Sequence, residues 1–142
     1  MLQVKHLLQE KGNQFYSIGP DEPVLAAITK MADHYIGALL VMRDDELVGM
    51  VSERDYARKV ILKGRSSRDT LVQDIMAAPV VTVAPEDTVE TCMRMCTDSR
   101  VRHLPVMQNH KVVGLVSIGD LVKAVIDEQN EQIEHLQRYI AG

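Results

Sequence analysis

The sequence predicts an α+β fold built from two copies of a β-α-β-β-α unit. Shifted by 65 positions, the chain aligns with itself without a gap, so that residues 17–61 fall on residues 82–126. Within each copy, amphipathic helical patterns alternate with short apolar strands, two of which are joined by a polar turn. Such a pattern forms layered units, and its duplication predicts two halves that pack through their sheets with pseudo-two-fold symmetry.

Length and composition agree with one compact protein that has an aliphatic core. The chain has 142 residues, of which 46% are hydrophobic and 4% aromatic, with no tryptophan. The net charge is −4, and no basic cluster points to nucleic acid. No apolar run reaches the ~18 residues of a transmembrane helix, and Met1–Gln9 lacks the features of a signal peptide. We therefore expect a cytoplasmic protein without nucleic acid or membrane as a partner.

The two cysteines favour a packing role. Cys92 and Cys96 are four residues apart, which places them on one face of a predicted helix. Zinc needs four ligands, and the chain offers no second pair at a useful spacing. We expect reduced, buried thiols and no metal site.

Each copy starts with a short helical lead-in and a short strand. The lead-ins are Val4–Leu8 and Val72–Met76, and the strands are Tyr16–Ile18 and Val80–Val83. A Pro-Asp-Glu or Pro-Glu-Asp-Thr turn follows, whose side-chain oxygens can cap a helix. The buried faces predicted for that helix are Val24, Ala27, Ile28 and Met31 in copy one, and Val89, Cys92, Met93 and Cys96 in copy two.

A hairpin and a second helix complete each copy. The predicted strand pairs are Ala38–Met42 with Leu47–Val51, and His103–Met107 with Val112–Val116. Ser52 and Ser117 then begin the second helices, 55–62 and 120–127. The resulting division is repeat 1 with its lead-in helix at 3–62, a polar linker at 63–70, repeat 2 at 71–127 and a helical tail at 128–142.

The tail carries an apolar pattern of its own. Its apolar residues and one polar residue follow alternating steps of three and four: Ile126, Gln129, Ile133, Leu136 and Ile140. This spacing is typical of a short a/d seam. The tail is predicted either to pack back on its own domain or to mediate self-association.

Three motifs resemble the CBS-domain family, named after cystathionine β-synthase. They are the pattern hydrophobic-Gly-hydrophobic-Val-Ser-x-x-Asp at Val48–Asp55 and again at Val113–Asp120, the run Arg102–Val106, and the lead-in Asp74–Met76. The resemblance covers roughly residues 3–127. It implies a stand-alone regulatory pair that senses adenosine-containing molecules such as AMP, ATP, S-adenosylmethionine or NAD between its halves. It also implies a homodimer and an unidentified protein target.

The Ser-x-x-Asp motifs have two interpretations. At a junction of strand and helix, the serine and aspartate can cap free backbone N–H groups. The resemblance implies instead that Asp55 and Asp120 accept hydrogen bonds from ribose hydroxyls, a task that suits a carboxylate because it only accepts. Free N–H groups at the same helix starts can hold a phosphate, with Arg54 nearby in copy one and Gly119 open to a ligand in copy two.

The entry to the second strand differs between the copies. Arg102 and His103 in copy two are either a solvated strand edge or a phosphate-binding pair. Their counterparts Gly37 and Ala38 would leave room for adenosine. In the family, the first strands read adenine through their main chain, although the same residues also suit a plain edge strand. The candidate nucleotide-binding residues are Ser17, Ile18, Gly37, Ala38, Ser52, Arg54, Asp55, Thr82, Val83, Arg102, His103, Ser117, Ile118, Gly119 and Asp120.

Three classes of function compete. A non-catalytic sensor of an adenine nucleotide, AMP or NAD above all, would signal through relative motion of the two repeats. An enzyme is disfavoured, because no nucleophile and base stand at a telling spacing and no catalytic cofactor is implied. A ligand-free structural or dimerisation module that binds a protein partner is the alternative.

Overall fold

A computed structural model of the chain describes residues 1–141. The helices and strands, in chain order, are α1 Val4–Lys11, β1 Ser17–Ile18, α2 Val24–His34, β2 Ala38–Arg43, β3 Glu46–Ser52, α3 Glu53–Tyr56 with a π-helical continuation Ala57–Ile61, α4 Val72–Ile75, α5 Val89–Ser99, β4 His103–Gln108, β5 Lys111–Ser117 and α6 Ile118–Ala141. The predicted α+β class and the duplication into two copies are confirmed. Among the described residues, no helix is both long and apolar enough to cross a membrane.

Two compact units divide the chain, and each contains most of one copy. The first-copy unit comprises Gln14–Val81 and Asn109–Val112, and the second-copy unit comprises Met1–Asn13, Thr82–Gln108 and the chain from Val113 onwards. Each compact unit is therefore built from segments that are not consecutive in the chain. The lead-in helix α1, which precedes copy one in sequence, belongs to the second-copy unit, and α4 belongs to the first-copy unit.

Backbone hydrogen bonds hold each lead-in helix at the turn that starts a repeat. In the second-copy unit, the N–H of Val4 donates to the carbonyl of Asp87 at 2.9 Å. In the first-copy unit, the N–H of Val72 donates to the carbonyl of Glu22, also at 2.9 Å. The first amides of a helix lack partners within the helix, so these bonds satisfy groups that would otherwise need water.

The first-copy unit has a three-stranded sheet in the order β1-β2-β3. Strand β1 runs parallel to β2, with Ser17 opposite Leu40, and β2 runs antiparallel to β3, with Ala38 opposite Ser52. One face of α2 covers the sheet, because its apolar residues recur at helical spacing. The core consists of Ile18, Val24, Ala27, Met31, Leu39, Val41, Val51, Val60, Val72 and Ile75.

The second copy has the hairpin β4-β5 but not the predicted strand Val80–Val83, which is a correction. Only Val83 pairs, in a single parallel bridge with Val106. The reason is Pro105, which has no N–H and cannot donate to the chain at Val81. At the same place in the first copy, the N–H of Leu40 donates to the carbonyl of Tyr16 at 3.1 Å.

A glycine in each hairpin admits a side chain from a lead-in segment. A Cβ on Gly49 would lie 2.5 Å from Sδ of Met76, and a Cβ on Gly114 would lie 2.7 Å from Cδ2 of Leu8. Both distances are shorter than any ordinary carbon contact, so a larger residue at either position requires a shift. The glycine of the repeated motif is therefore explained by packing.

Candidate functional site

Both Ser-x-x-Asp motifs form the same reciprocal cap. In the first copy, the N–H of Ser52 donates to Oδ2 of Asp55 at 3.0 Å, and the N–H of Asp55 donates to Oγ of Ser52 at 3.2 Å. In the second copy, the equivalent distances between Ser117 and Asp120 are 2.8 Å and 3.1 Å. This arrangement satisfies helix-start amides from both sides, and the capping interpretation is confirmed.

The first amide of each capped helix ties the cap to the start of a strand. The N–H of Glu53 donates to the carbonyl of Gly37 at 3.0 Å, and the N–H of Ile118 donates to the carbonyl of Arg102 at 2.8 Å. Each bond brings the strand-entry residues beside the serine and aspartate. The first-copy set is Gly37, Ala38, Ser52 and Asp55, and the second-copy set is Arg102, His103, Ser117 and Asp120.

The two carboxylates differ in the cation that pairs with them. Asp55 meets Lys59 of its own helical stretch, with 3.4 Å between Nζ and Oδ1. Asp120 meets Lys11 at the end of α1, with 2.6 Å between Nζ and Oδ2, and the same ammonium donates to the carbonyl of Leu115 at 2.8 Å. Sequence reasoning missed Lys11, since nothing in the pattern connects residues this far apart.

The charges of the second-copy site act on one another. Burial raises the pKa of Asp120, but hydrogen bonds from Lys11 and Ser117 outweigh it, so the pKa falls below its usual range. Burial lowers the pKa of His103; the charge of Asp120 opposes this, whereas Lys11 and Arg102 add to it. Asp120 is therefore ionised and His103 mostly neutral near pH 7.

The residues expected to read adenine lie at the first strand of each copy. The side chains of Ile18 and Val83 are buried in their own units. The carbonyl of Ser17 accepts a hydrogen bond from Nζ of Lys30 at 2.5 Å. In the repeat alignment, Met95 stands at the position of Lys30, so Thr82 does not meet the equivalent ammonium.

The helix starts differ in bulk as well as in charge. In the first copy, Glu53 and Arg54 are exposed, and the carboxyl carbon of Glu53 would lie 4.0 Å from a Cβ on Gly37. In the second copy, Gly119 is exposed, and a Cβ there would meet only Oγ of Ser117 at 3.6 Å. Ile118 and Gly119 border a shallow apolar hollow on α6.

The cysteines contribute packing to α5. Cys92 and Cys96 are both buried and unpaired, as predicted. Burial raises the pKa of Cys92 to about 11, and Asp87 and Cys96 add to the effect. The thiols are thus protonated at neutral pH, and a protonated thiol is a poor nucleophile and a poor metal ligand.

Comparisons with known proteins agree with this architecture. The family described as "CBS domain" matches residues 8–62 and again 72–127. The chain is 44% identical over 127 residues to the mitochondrial CBS domain-containing protein CBSX3 of Arabidopsis thaliana, over 86% of this chain and 62% of that protein. It therefore spans slightly less than two thirds of that relative's length.

Solved structures show the same fold. A putative signal-transduction protein with CBS domains from Burkholderia ambifaria is 47% identical, with a TM-score of 0.86 over 89% of this chain and 96% of that one. A more distant CBS domain pair, 19% identical with a TM-score of 0.80 over 90% of this chain and 98% of that one, was solved with 5′-methylthioadenosine and S-adenosylmethionine. With two family matches that cover most of its length, and the same cap repeated in both copies, the chain belongs to the CBS-domain family as a tandem pair.

Proposed function

We propose that this CBS pair is a non-catalytic regulatory module that binds an adenine nucleotide of the AMP, ATP or NAD type. The observation that carries the proposal is the second-copy site, where Asp120 lies with Lys11, Arg102 and His103 around it. An ionised carboxylate suits the two hydroxyls of a ribose, and an arginine suits a phosphate because it donates two parallel hydrogen bonds.

The second copy is the stronger of the two candidate sites. Its strand entry offers Arg102 and His103 to an anion, whereas the first copy has the acidic Glu53 beside Gly37. In the first copy Lys30 also occupies the carbonyl of Ser17, which would otherwise be open to the adenine edge. A negatively charged ligand thus meets a guanidinium at the strand entry of the second copy and an acidic side chain at that of the first.

The adenosine part of the ligand follows from family membership. The distant CBS pair that holds 5′-methylthioadenosine and S-adenosylmethionine is one example of this ligand class. An exposed Gly119 at the start of α6 lets a ligand approach the backbone amides closely. Comparison of AMP, ADP and ATP decides how many phosphates the ligand carries.

We also propose that the protein is a homodimer that regulates a protein target. It would signal through relative motion of the two repeats, which stays a prediction. The alternative is a ligand-free dimerisation module that binds a protein partner. The exposed apolar residues of α6 favour it, since they offer a surface that needs no nucleotide. The two functions are separated by whether any nucleotide stabilises the fold.

A thermal-shift panel tests the proposal. AMP, ADP, ATP, NAD and S-adenosylmethionine are compared with UMP, which has the same ribose and phosphate but a different base. A ligand that binds only the folded protein stabilises it by about 2.7 kcal/mol at a concentration of 100 times Kd. We expect a rise in Tm with at least one adenine ligand, a smaller rise with UMP, and a smaller rise with the same adenine ligand in Asp120→Asn. No rise with any adenine ligand would overturn the proposal.

A further inference from the structure

Helix α6 presents two apolar faces, and only one of them is covered. Leu121 is buried, and Ala124 and Val125 are half-buried, where α6 packs on α1 and α5. The second face is open to solvent over the whole helix: Val122 is 39% exposed, Ile126 51%, Ile133 53%, Leu136 59% and Ile140 76%. Residues 131–141 are exposed on all sides, so the tail does not pack back on its own unit.

The open face has the period of a supercoiled helix pair. Its members alternate in steps of four and three: Val122, Ile126, Gln129, Ile133, Leu136 and Ile140. A strict 3.5-residue period keeps a seam facing a partner only when that partner is another helix with the same period. The occupant that this face fits is therefore a helix. We call these six residues the α6 seam.

Residue choice along the α6 seam favours two parallel strands. Isoleucine stands at the three a positions, 126, 133 and 140, and the d positions are Val122, Gln129 and Leu136. β-branched residues at a combined with leucine at d favour parallel dimers. At about 1.5 Å per residue, the 24 residues of α6 extend over about 36 Å, which is long enough to carry the pairing beyond the matched family region.

The flanks of the α6 seam point to a second copy as the partner. From Ile126 onwards, the positions beside the seam are uncharged: Asn130, Gln132, Gln137 and Tyr139. The acidic residues stand away from the seam, at Asp127, Glu128, Glu131 and Glu134. Charged flanks set partner choice through salt bridges between helices, whereas neutral flanks let two identical acidic helices approach without repulsion.

The single polar member of the seam sets orientation and register. In a parallel pair in register, Gln129 faces Gln129 of the second copy, and each amide can donate to and accept from the other. In an antiparallel pair that overlaps the whole seam, Gln129 would lie opposite Ile133, and its amide would lose solvent without gaining a partner. A polar seam residue of this kind specifies one arrangement.

We propose that the α6 seam pairs in parallel and in register with the same seam of a second copy of this chain. The α6 seam would thus be the contact surface of the homodimer in the proposed function. It does not depend on nucleotide binding, and the two can fail separately.

Cysteine cross-linking tests the orientation. Gln129→Cys places a thiol in the seam, and Glu131→Cys places one on the outward face as the matched control. Cys92 and Cys96 are buried and do not compete for mild oxidants. We expect Gln129→Cys to form a disulfide-linked dimer at least about tenfold faster than Glu131→Cys, since the seam holds the two thiols together. Equal rates would overturn the parallel pairing.

Molar mass by light scattering tests the surface. Ile133→Glu and Leu136→Glu each place a charge in the seam, and because both side chains are exposed in the single chain, each unit should keep its fold. We expect at least about a tenfold weaker dimer for either variant, whereas the outward control Glu134→Gln keeps the wild-type mass. A dimer that persists in both seam variants would overturn pairing through the α6 seam but would be consistent with a homodimer that uses another surface. A monomeric wild type overturns both.

Discussion

The two units of this protein share one cap but surround it with different charges. In each, a serine and an aspartate exchange hydrogen bonds at the start of a helix. The first N–H of that helix donates a hydrogen bond to the carbonyl of a residue just before a strand. Around that common frame, Asp55 has Lys59 from its own helix, whereas Asp120 has Lys11 from α1. The frame is thus a requirement of the fold, and the surroundings are where the two copies are free to differ.

The first and largest expected effect concerns the glycines of the two hairpins. In Gly49→Ala, the new Cβ would lie 2.5 Å from Sδ of Met76 and 3.1 Å from the backbone oxygen of Ala77. In Gly114→Ala the three atoms nearest the new Cβ all belong to the flexible side chain of Leu8. We expect the free energy of unfolding to fall by about 2–3 kcal/mol for Gly49→Ala and by about 1 kcal/mol for Gly114→Ala.

Urea denaturation measures both values. Gly119→Ala is the control, because its Cβ would be in ordinary contact at 3.6 Å. We expect a change within about 0.5 kcal/mol for it. A larger loss for Gly114→Ala than for Gly49→Ala would show that backbone proximity is not what separates the two glycines.

The second expected effect concerns the carboxylates. Asp120→Asn removes the charge that accepts two ribose hydroxyls but keeps the size of the side chain. We expect AMP to bind at least about tenfold more weakly, which corresponds to about 1.4 kcal/mol. The same change at Asp55 should weaken binding by less than about threefold, because the cations of the second-copy site attract the phosphate. Isothermal titration measures both, and equal losses would contradict the ranking of the two sites.

The third expected effect concerns His103. Burial holds the pKa of His103 below its usual range, so the free protein binds a proton there only as the pH falls. A bound phosphate favours the protonated ring and raises that pKa, so protonation and AMP binding support each other. We expect AMP affinity to rise about threefold from about pH 8 to about pH 6.5, and to change less in His103→Gln.

Adenosine is the control for this pH dependence, because it has no phosphate. Its affinity should not rise as the pH falls. A similar rise for adenosine, or an unchanged rise for AMP in His103→Gln, would contradict contact between His103 and the phosphate.

The last expected effect, similar in size, concerns Lys11. Its ammonium lies 2.6 Å from the Asp120 oxygen that a ribose would need, so it competes with an uncharged nucleoside. The pair is partly exposed, and such pairs contribute at most about 1 kcal/mol. We expect Lys11→Met to bind adenosine about threefold more tightly, by isothermal titration, while Lys59→Met changes adenosine affinity less. Weaker adenosine binding in Lys11→Met would make Lys11 a ligand contact instead of a competitor.

Much of the fold could be predicted because its signals are local. The hairpins β2-β3 and β4-β5 follow from alternating apolar runs around polar turns, and the predicted strands differ from the observed ones by a residue at their ends. The strand predicted at Val80–Val83 was wrong because the decisive residue, Pro105, lies in the partner strand. The site residues were assigned by resemblance, and their nucleotide contacts stay predictions, as does the cytoplasmic location.

By itself, the sequence determined the duplication, the α+β class, the capping aspartates and the family, because each of these depends on residue type at short spacing. Only the tertiary structure decided that α1 joins the second-copy unit, that Lys11 reaches Asp120, and that the α6 seam lies open. These features depend on which distant surfaces pack together. A linear pattern records the apolar face of a helix, but it does not record which neighbour covers that face.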